Sequence, residues 1–452
     1  MPEVNGVTDC VSNCVSSKVF NGTSNRVSKS ISDSTSNRVH AVKDNSIDII
    51  ATSPCDGESV PGLLEEIAEH GHVFLSNNDR RSRLQLLKAA RSLFRALETP
   101  RETMIRLCWA EATLYAAIET AISMGLFSLM DEKDRIAKKV DQLASMAGSD
   151  PVLLSRIMKH LAAMGVIKET GPDEYVPTNL SRTLASPKYA DGFPCIGNSM
   201  TPSFYKLSEY LSKTGYVNPT NAGDGPFQYA FNTSQHYFAW VRDHQSILAQ
   251  FNNHMSAYHQ GRPSWMDPDF YPVQDLLLKG ARTDKHAVLL VDVGGGLGHD
   301  IEEFHRKHPA APGHLVLQDL PAVLGQIECI DDGIMTMAHD FFTEQPIKGA
   351  RAYYMHSILH DWSDEVCLQI LEGITAAMKP GYSKLLINEN VIPDVDADWQ
   401  LTAQDIIMMT TLSSAERKEQ QWQRLLGQAG LKILKIWTYE NGVESLIECE
   451  LV

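Results

Sequence analysis

Apolar positions divide the chain into regimes. Through the first 55 residues Ser, Asn and Val recur without a sustained apolar face. Val4, Val7, Val11, Val15 and Val19 keep a helical spacing, but the intervening Ser and Asn offer the backbone competing local hydrogen bonds. TSNRVSKS from Thr23 echoes in TSNRVHAV from Thr35, which is low complexity and not a repeat fold. Residues 1–55 are therefore expected to be a disordered tail, with a targeting segment as the lesser alternative. From Val60 the period becomes that of amphipathic helices: Leu63, Leu64 and Ile67, then Leu84, Leu86, Leu87, Ala90, Leu93 and Leu97, closing at Pro100. A broader stripe from Met104 through Leu114, Ala117, Ile118 and Ile122 to Leu126 predicts burial on several sides, as in an intertwined dimer.

Asp141 to Pro177 reads helix, turn, helix, hairpin. LASMAGSDP supplies the turn and cap, and Leu153, Leu154, Ile157, Met158, Leu161 and Met164 form the second stripe. Gly165 stops it, and VIKETGPDEYVPT predicts two short strands about Gly171-Pro172. This is the order of a winged helix. Its second helix offers only Arg156 and Lys159 as cations, so a scaffold or dimerisation role is expected ahead of DNA reading. From Phe204 to Phe270 the chain is helical and rich in aromatics, which usually means core. The admixture of Asn252, Asn253, His254, Met255 and His259 favours walls of a pocket for a planar, hydroxylated ligand. Asn252, Met255, His259 and Met408 are the candidate pocket residues. From Leu289 the short apolar runs LLVDV, HLVLQDL, ARAYYM and KLLINEN alternate with helical stretches, which predicts a doubly wound, Rossmann-like α/β sheet, open and mostly parallel.

Composition narrows the partners. Forty Lys and Arg against fifty-six Asp and Glu leave a net charge of −16, unsuited to a phosphate backbone without a local basic patch, and none is evident. No nucleic-acid partner is expected. Eight cysteines are scattered without disulfide or zinc spacing. No run approaches the length of a membrane span and no signal peptide opens the chain, so a soluble, cytoplasmic protein is expected and the sequons at Asn21, Asn179 and Asn232 are taken as chance.

The strongest chemical signal is VDVGGGLGH, Val291 to His299, a strand end running through a glycine loop into a helix. Gly294, Gly296 and Gly298 allow a tight turn and close approach of a sugar at the carboxyl edge of the sheet. Asp319, where the next strand ends, is placed to grip ribose hydroxyls. The spacing is G-x-G-x-G and not the G-x-G-x-x-G of dinucleotide binders. With Asp292 just ahead of it, this favours S-adenosylmethionine over NAD, because a sulfonium and an α-ammonium welcome a carboxylate. Asp340 and Phe341 fall at a third strand end, suited to the adenine amine and ring. A second signal, ILHDWSDE, puts His360 after the strand ARAYYM. Glu389 ends the following strand and Glu416 heads a helix, so the two carboxylates are candidates to orient the imidazole and stabilise its cation. No cluster with metal-ligand spacing appears, and no metal is expected.

From about Thr99 onward the chain resembles the S-adenosylmethionine-dependent O-methyltransferases of the plant caffeic acid and flavonoid type, especially the fungal aromatic polyketide (sterigmatocystin-like) branch. VDVGGG-G, D-L-P, HDW-S-DE, a strand ending in Glu before a proline, and E-R before a helix stand in family order. The resemblance implies that His360 is the base deprotonating the acceptor hydroxyl, that Glu389 and Glu416 bracket it, and that Asp319 binds ribose. It also implies that the winged helix dimerises and that Phe251 to His259 lines the pocket near the methyl group. The position four residues before the histidine, often Lys in plant members, is His356 here and is assigned to the cofactor. The implied partition is a tail over 1–55, a dimerisation domain over 56–200, a helical linker over 201–280 and the catalytic domain over 281–452.

The expected activity is homodimeric, metal-independent methylation of a phenolic or enolic hydroxyl on an aromatic natural product. An activated sulfonium methyl requires only that the oxygen be placed in line and its proton removed. The rival is a cyclase of the same fold that holds the cofactor without spending its methyl, using the sulfonium as a fixed charge. Intact His360, Glu389 and Glu416 favour transfer.

Overall fold

The computed structural model describes residues 46–131, 136–258 and 260–452. The valine spacing, the echo, Cys10, Cys14 and the Asn21 sequon lie outside the described residues, as does His259. Two compact units divide at Ala112.

In the first unit, helix α1 (Val60–Asn77) ends at Asn78 in the left-handed region, and Asp79 opens α2 (Arg80–Leu97) by accepting the Ser82 amide at 2.8 Å. Thr99 and Glu102 form a capping box ahead of a short helix, and Glu98 takes the Arg106 guanidinium. The apolar residues of these helices find little cover. α1 buries no residue, and Leu64, Leu75, Phe94, Leu97, Met104, Leu107 and Trp109 are each at least half exposed.

The second unit opens with α3 (Ala112–Ser123) and the predicted winged helix, α4 (Val140–Ala147), α5 (Pro151–Ala163), β2 (Ile167–Gly171) and β3 (Glu174–Pro177), to which an unpredicted strand β1 (Lys138–Lys139) adds in sheet order β1-β3-β2. Pro at the start of α5, with Asp150 capping Leu153, sets its entry. Leu126, Phe127, Leu143, Leu154, Met158, Leu161 and Tyr175 fill the core beneath it. Lys159, one of its two cations, lies against Glu169 and Asp173.

The helices that follow include α6 (Gln245–Tyr258). Much of the aromatic run is core: Phe227 stacks on Phe231 and meets Tyr237 edge-on, while Trp265 and Phe270 pack beneath the sheet of the next domain.

That domain is a seven-stranded sheet of β4 (Val288–Val293), β5 (His314–Asp319), β6 (Ile334–Ala338), β7 (Ala352–His356), β8 (Lys384–Glu389), β11 (Leu431–Thr438) and β12 (Ser445–Leu451), ordered β11-β12-β8-β7-β4-β5-β6. A two-stranded parallel pair, β9 (Val391–Ile392) with β10 (Arg417–Lys418), lies apart. Strands β4 to β8 run parallel, and β12 and β11 return antiparallel. Alternate residues feed two cores. Val291, Val293, Tyr353, Met355, Leu385 and Ile387 meet α8 (Asp364–Thr375) and α10 (Glu419–Gln428) through Ile370, Leu371, Trp422 and Leu425, while Leu290, Leu317, Tyr354 and Leu386 meet Ile301 and Phe304 of α7 (His299–Lys307). Helix α9 (Trp399–Leu412) precedes the Glu416 segment. No helix among the described residues is long and apolar enough to cross a membrane.

Arg351 ties the sheet to the preceding π-helical turn. Its guanidinium donates to the carbonyls of Leu276 and Leu277 at 2.9 Å and of Tyr382 at 2.6 Å. Arg351→Met leaves three carbonyls without their donor and is expected to lower stability by on the order of 3 kcal/mol in denaturant unfolding. A loss within error of wild type refutes this tie.

Candidate active site

Chain order reverses about β4, with β5 and β6 on one side and β7 and β8 on the other, and a crevice at such a switch point is where open α/β sheets take ligands. Every strong sequence candidate sits at this carboxyl edge. The amides of Gly294 and Gly295 donate to the carbonyl of Gln318 (2.8 and 3.1 Å), whose side chain is locked in a reciprocal amide pair with buried Gln345 (2.9 and 2.8 Å). The glycines have separate reasons. A Cβ on Gly295 would stand 2.5 Å from the Asp292 carboxyl, and one on Gly298, at φ +89°, 2.9 Å from Leu317. Gly296, at φ +60°, faces open space, so its lack of a side chain keeps room in the crevice.

Asp319 does more than wait for a sugar. Its Oδ2 accepts the Gly296 amide at 2.8 Å and its Oδ1 the Leu320 amide at 2.7 Å, so it holds the loop in shape. Burial pushes its carboxyl up, against the pull of those amides. Asp292 is 1% exposed with neither carboxylate oxygen hydrogen-bonded. Burial first, then neighbouring Asp300, drives it well above the carboxylate range, with His356 opposing. An α-ammonium or sulfonium suits its unbonded oxygens, and the open face at Gly296 admits a ligand; the residues fit S-adenosylmethionine. After β6, Asp340 is exposed and caps the Phe342 amide at 3.0 Å, while half-buried Phe341 packs against Phe342 and Trp362. His356 ends β7 with Nδ1 2.6 Å from Asp300 Oδ2.

The second constellation converges as well. His360 lies in a single 3-10 turn, Leu359–Asp361, and is 6% exposed. Its Nδ1 meets Glu416 Oε1 at 2.8 Å and stands 3.7 Å from Glu389 Oε2. Glu389 is wholly buried, and its Oε1 accepts the amides of Ile358, Leu359 and His360 at 2.9, 2.8 and 3.3 Å. The Glu416 segment is pinned by its own amide donating to Asp405 Oδ1 at 2.9 Å. The ligand atoms of His360, Glu389 and Glu416 lie within 4.8 Å of one another, near enough for a cation. The Nδ1–Glu416 bond and the three amides already account for their convergence. With Nδ1 engaged by Glu416, Nε2 is the ring nitrogen outside that bond, and Asp361 Oδ1 lies 3.4 Å from it. Burial pulls the imidazole down, but Glu389, Asp361 and Glu416 outweigh it and leave His360 well above its usual range. Burial also lifts Asp361 to about 7, with His360 opposing.

Two groups escaped the sequence reading. Arg417 was visible within E-R, yet its role depends on reaching across to the HDW turn, where it donates to the carbonyls of Leu359 and Trp362 at 2.8 Å and to Asp364 at 2.9 Å. Asp361 stood inside the motif without a role. The pocket candidates are dispersed. Asn252 is exposed and its amide reaches Gln326 at 3.4 Å; Met255 is half-buried; Met408 packs into the aromatic cluster of Phe227 and Tyr237. Nearby Asn253 donates to Asp191 at 2.6 Å and His254 fills the space beside Gly192.

A mostly parallel sheet with a glycine loop and an acid at the next strand end, joined to a winged helix and carrying a buried His-Glu-Glu cluster, defines a Rossmann-like methyltransferase. Comparison with known proteins makes this specific. A family model described as O-methyltransferase domain matches residues 220–432, and one described as O-methyltransferase dimerisation domain matches 111–187. O-methyltransferase mfmE of Annulohypoxylon moriforme is 38% identical over 389 residues, 86% of this chain and 95% of that one. A solved structure described as a pericyclic reaction enzyme is 30% identical with a TM-score of 0.78, covering 87% of this chain and 100% of the other. The structure of LepI in complex with SAM is 28% identical with a TM-score of 0.78, covering 93% and 100%. The chain belongs to the O-methyltransferase family and is an S-adenosylmethionine-dependent enzyme.

Asp319→Asn removes the charge and keeps only one of the two acceptors that the Gly296 and Leu320 amides use. It is expected to weaken S-adenosylmethionine binding by roughly 2 kcal/mol in calorimetric titration, with a lowered thermal midpoint from the amide left without an acceptor. Unchanged affinity removes Asp319 from the cofactor site.

Proposed function

We propose that this enzyme methylates a phenolic or enolic hydroxyl of an aromatic secondary metabolite, with His360 as the general base. The observation that carries this reading is the buried imidazole, in the turn that follows β7, anchored through Nδ1 to Glu416 with Nε2 left outside that bond. Asp292, Gly294, Gly296, Asp319, Asp340, Phe341 and His356 are the residues proposed to hold the cofactor. Bound S-adenosylmethionine supplies an electrophilic methyl on a cationic sulfur. The chain's own work is proton management: Nε2 takes the acceptor's proton as its oxygen becomes the nucleophile. Glu416 fixes the tautomer through Nδ1, and Glu389 with Asp361 stabilises the imidazolium. Glu389 and Arg417 hold the turn so that the imidazole does not swing. Met255, Met408 and His259 are proposed as acceptor contacts, and Asn252 as a contact at the pocket's rim.

The working form is proposed to be a homodimer built on the N-terminal helices. The support is their uncovered apolar surface, Trp109 at 65%, Met104 at 55% and Leu107 at 52% exposed, beside the matching dimerisation domain. The tail over 1–55, the dimerisation region over 56–200, the linker over 201–280 and the catalytic domain over 281–452 remain the proposed functional partition. Cys55, Cys108, Cys195, Cys329, Cys367 and Cys449 are free thiols, which supports a reducing, cytoplasmic setting. The structural likeness to a pericyclic reaction enzyme supports a second reading, cyclisation without methyl loss.

His360→Ala is expected to lower methyl transfer by roughly 10²- to 10⁴-fold while cofactor affinity stays nearly constant, with a smaller defect on acidic phenols that arrive ionised. Because three carboxylates raise His360, the wild-type rate should climb with pH through a value well above the usual histidine range, as the imidazole loses its proton. Glu416→Gln removes one of those carboxylates, so its rate is lower but its pH limb moves toward acid. An unmoved limb means that His360 does not govern the profile. Product formed from the native acceptor without matching S-adenosylhomocysteine establishes the cyclase instead.

Sedimentation at micromolar concentration should show a dimer for the full chain, since a monomer would leave that apolar surface in water. A monomer overturns the assembly.

A further inference from the structure

Two sets of shielded charges stand at the carboxyl edge of the sheet, and they differ in balance. At the end of β7 the charges alternate: His356 lies between Asp300 (2.6 Å) and Glu444 (3.4 Å), and Arg262 lies 3.3 Å from Glu444. Each charge there meets its opposite. Around His360, three carboxylates face a single imidazole: Glu416 at 2.8 Å and Glu389 at 3.7 Å from Nδ1, and Asp361 at 3.4 Å from Nε2. The Arg417 guanidinium is committed to the carbonyls of Leu359 and Trp362 and to Asp364.

The imbalance falls on two particular atoms. Glu389 and Glu416 are 0% and 3% exposed, and Oε2 of each is buried without a hydrogen bond. Glu389 Oε1 takes the amides of the turn and Glu416 Oε1 takes Nδ1, so those bonds explain why the residues meet and leave these two oxygens over. One ligand atom from each of His360, Glu389 and Glu416 lies within 4.8 Å of the others. Zinc draws nitrogen and oxygen ligands to about 2 Å, which sets them roughly 3 to 4 Å from one another, close to the separations seen from Nδ1. One imidazole and two carboxylates are the donor set of a zinc-type ion, whereas calcium and magnesium prefer more oxygens and bound water. The amides on Glu389 Oε1 hold that ligand from behind. Sequence spacing hides the set, because the carboxylates stand 29 and 56 residues from the histidine.

We propose that His360 Nδ1, Glu389 Oε2 and the Glu416 carboxylate form an inhibitory site for a zinc-type divalent cation. This rests on His360 being the base, as proposed above. A cation at Nδ1 takes the lone pair of that nitrogen, so the neutral ring's one proton moves to Nε2, where Asp361 Oδ1 stands 3.4 Å away to accept it in a hydrogen bond. Nε2 then has no lone pair for the acceptor's proton. Two carboxylates balance the two charges of the ion, which a single proton cannot do for this buried group. Methylation stops without movement of the turn, because Glu389 Oε1 keeps its three amides.

The test uses the full-length enzyme, freed of metal by chelation, with Co²⁺ as a coloured probe for Zn²⁺. Co²⁺ should give the visible bands of a nitrogen- and oxygen-ligated ion, without the near-ultraviolet charge transfer that binding at the exposed thiols of Cys55, Cys108 and Cys329 would add, and stoichiometric Zn²⁺ should bleach them. Glu416→Gln and His360→Asn should each weaken this binding by about tenfold or more. Where Glu416→Gln lacks a native thermal transition, Glu416→Asp, which draws the carboxylate back from Nδ1, takes its place and should show the same loss in smaller measure. Saturating Zn²⁺ should lower methyl transfer by roughly 10²-fold or more, reversibly with chelator, and leave S-adenosylmethionine affinity unchanged in calorimetric titration. Thiolate-type bands alone, or binding that both variants leave intact, overturns the site while His360 stands as the base. Binding that both variants weaken but that leaves transfer undiminished overturns the inhibition, and the role of His360 as base falls with it.

Discussion

One buried carboxylate organises the sheet edge that carries His360. Glu389 ends β8 with no exposure to solvent, and a charge or even a neutral acid in that position is costly unless donors surround it. The donors are the three successive amides of Ile358, Leu359 and His360, which a 3-10 turn points at a single oxygen. Arg417 holds the other polarity of the same turn by donating to the carbonyls of Leu359 and Trp362. The turn is thus clamped from both ends of its peptide dipoles, and the imidazole it carries has little freedom except at Nε2. Burial lifts Glu389 above the usual carboxylate range and His360 opposes that rise, so acid and imidazole titrate as partners.

A comparable economy governs the cofactor edge. Gln318 and Gln345 satisfy each other in the interior, which frees the Gln318 carbonyl to receive two loop amides, while Asp319 receives a third. The glycine loop is therefore shaped before any ligand arrives, and of its four glycines Gly296 is the one that faces open space. Preorganisation of this kind spares the ordering entropy that a mobile loop loses on binding. Asp292, by contrast, is left without a hydrogen bond at the strand end, and the two conditions together suit the proposed binding of a cationic ligand with hydroxyls.

Much of this was legible in the chain. Strands β4, β5, β7 and β8 are covered on both faces, so they appear as unbroken apolar runs bounded by Gly, Asp or Pro, and the glycine loop, Asp319 and the HDW turn follow from their ends. Strands β11 and β12 were not assigned, because Lys432, Lys435, Glu448 and Glu450 interrupt their apolar pattern and pair across the ladder, as Lys432 does with Glu450 and Lys435 with Glu448. The winged helix was readable from local signals alone: a proline start, an aspartate cap and a Gly-Pro turn.

The sequence by itself determined most element types, the glycine loop and the histidine of the HDW turn as the candidate base, since each rests on a spacing within a few residues of chain. Only the tertiary structure decided which carboxylates meet that histidine, that Asp361 flanks Nε2, that Arg417 clamps the turn, and that Arg262 comes to the end of β7. Those contacts join residues tens to hundreds of positions apart, and their chemistry depends on desolvation. A chain of letters records which charges exist; it takes packing to remove water from between them and so make each pairing strong enough to matter.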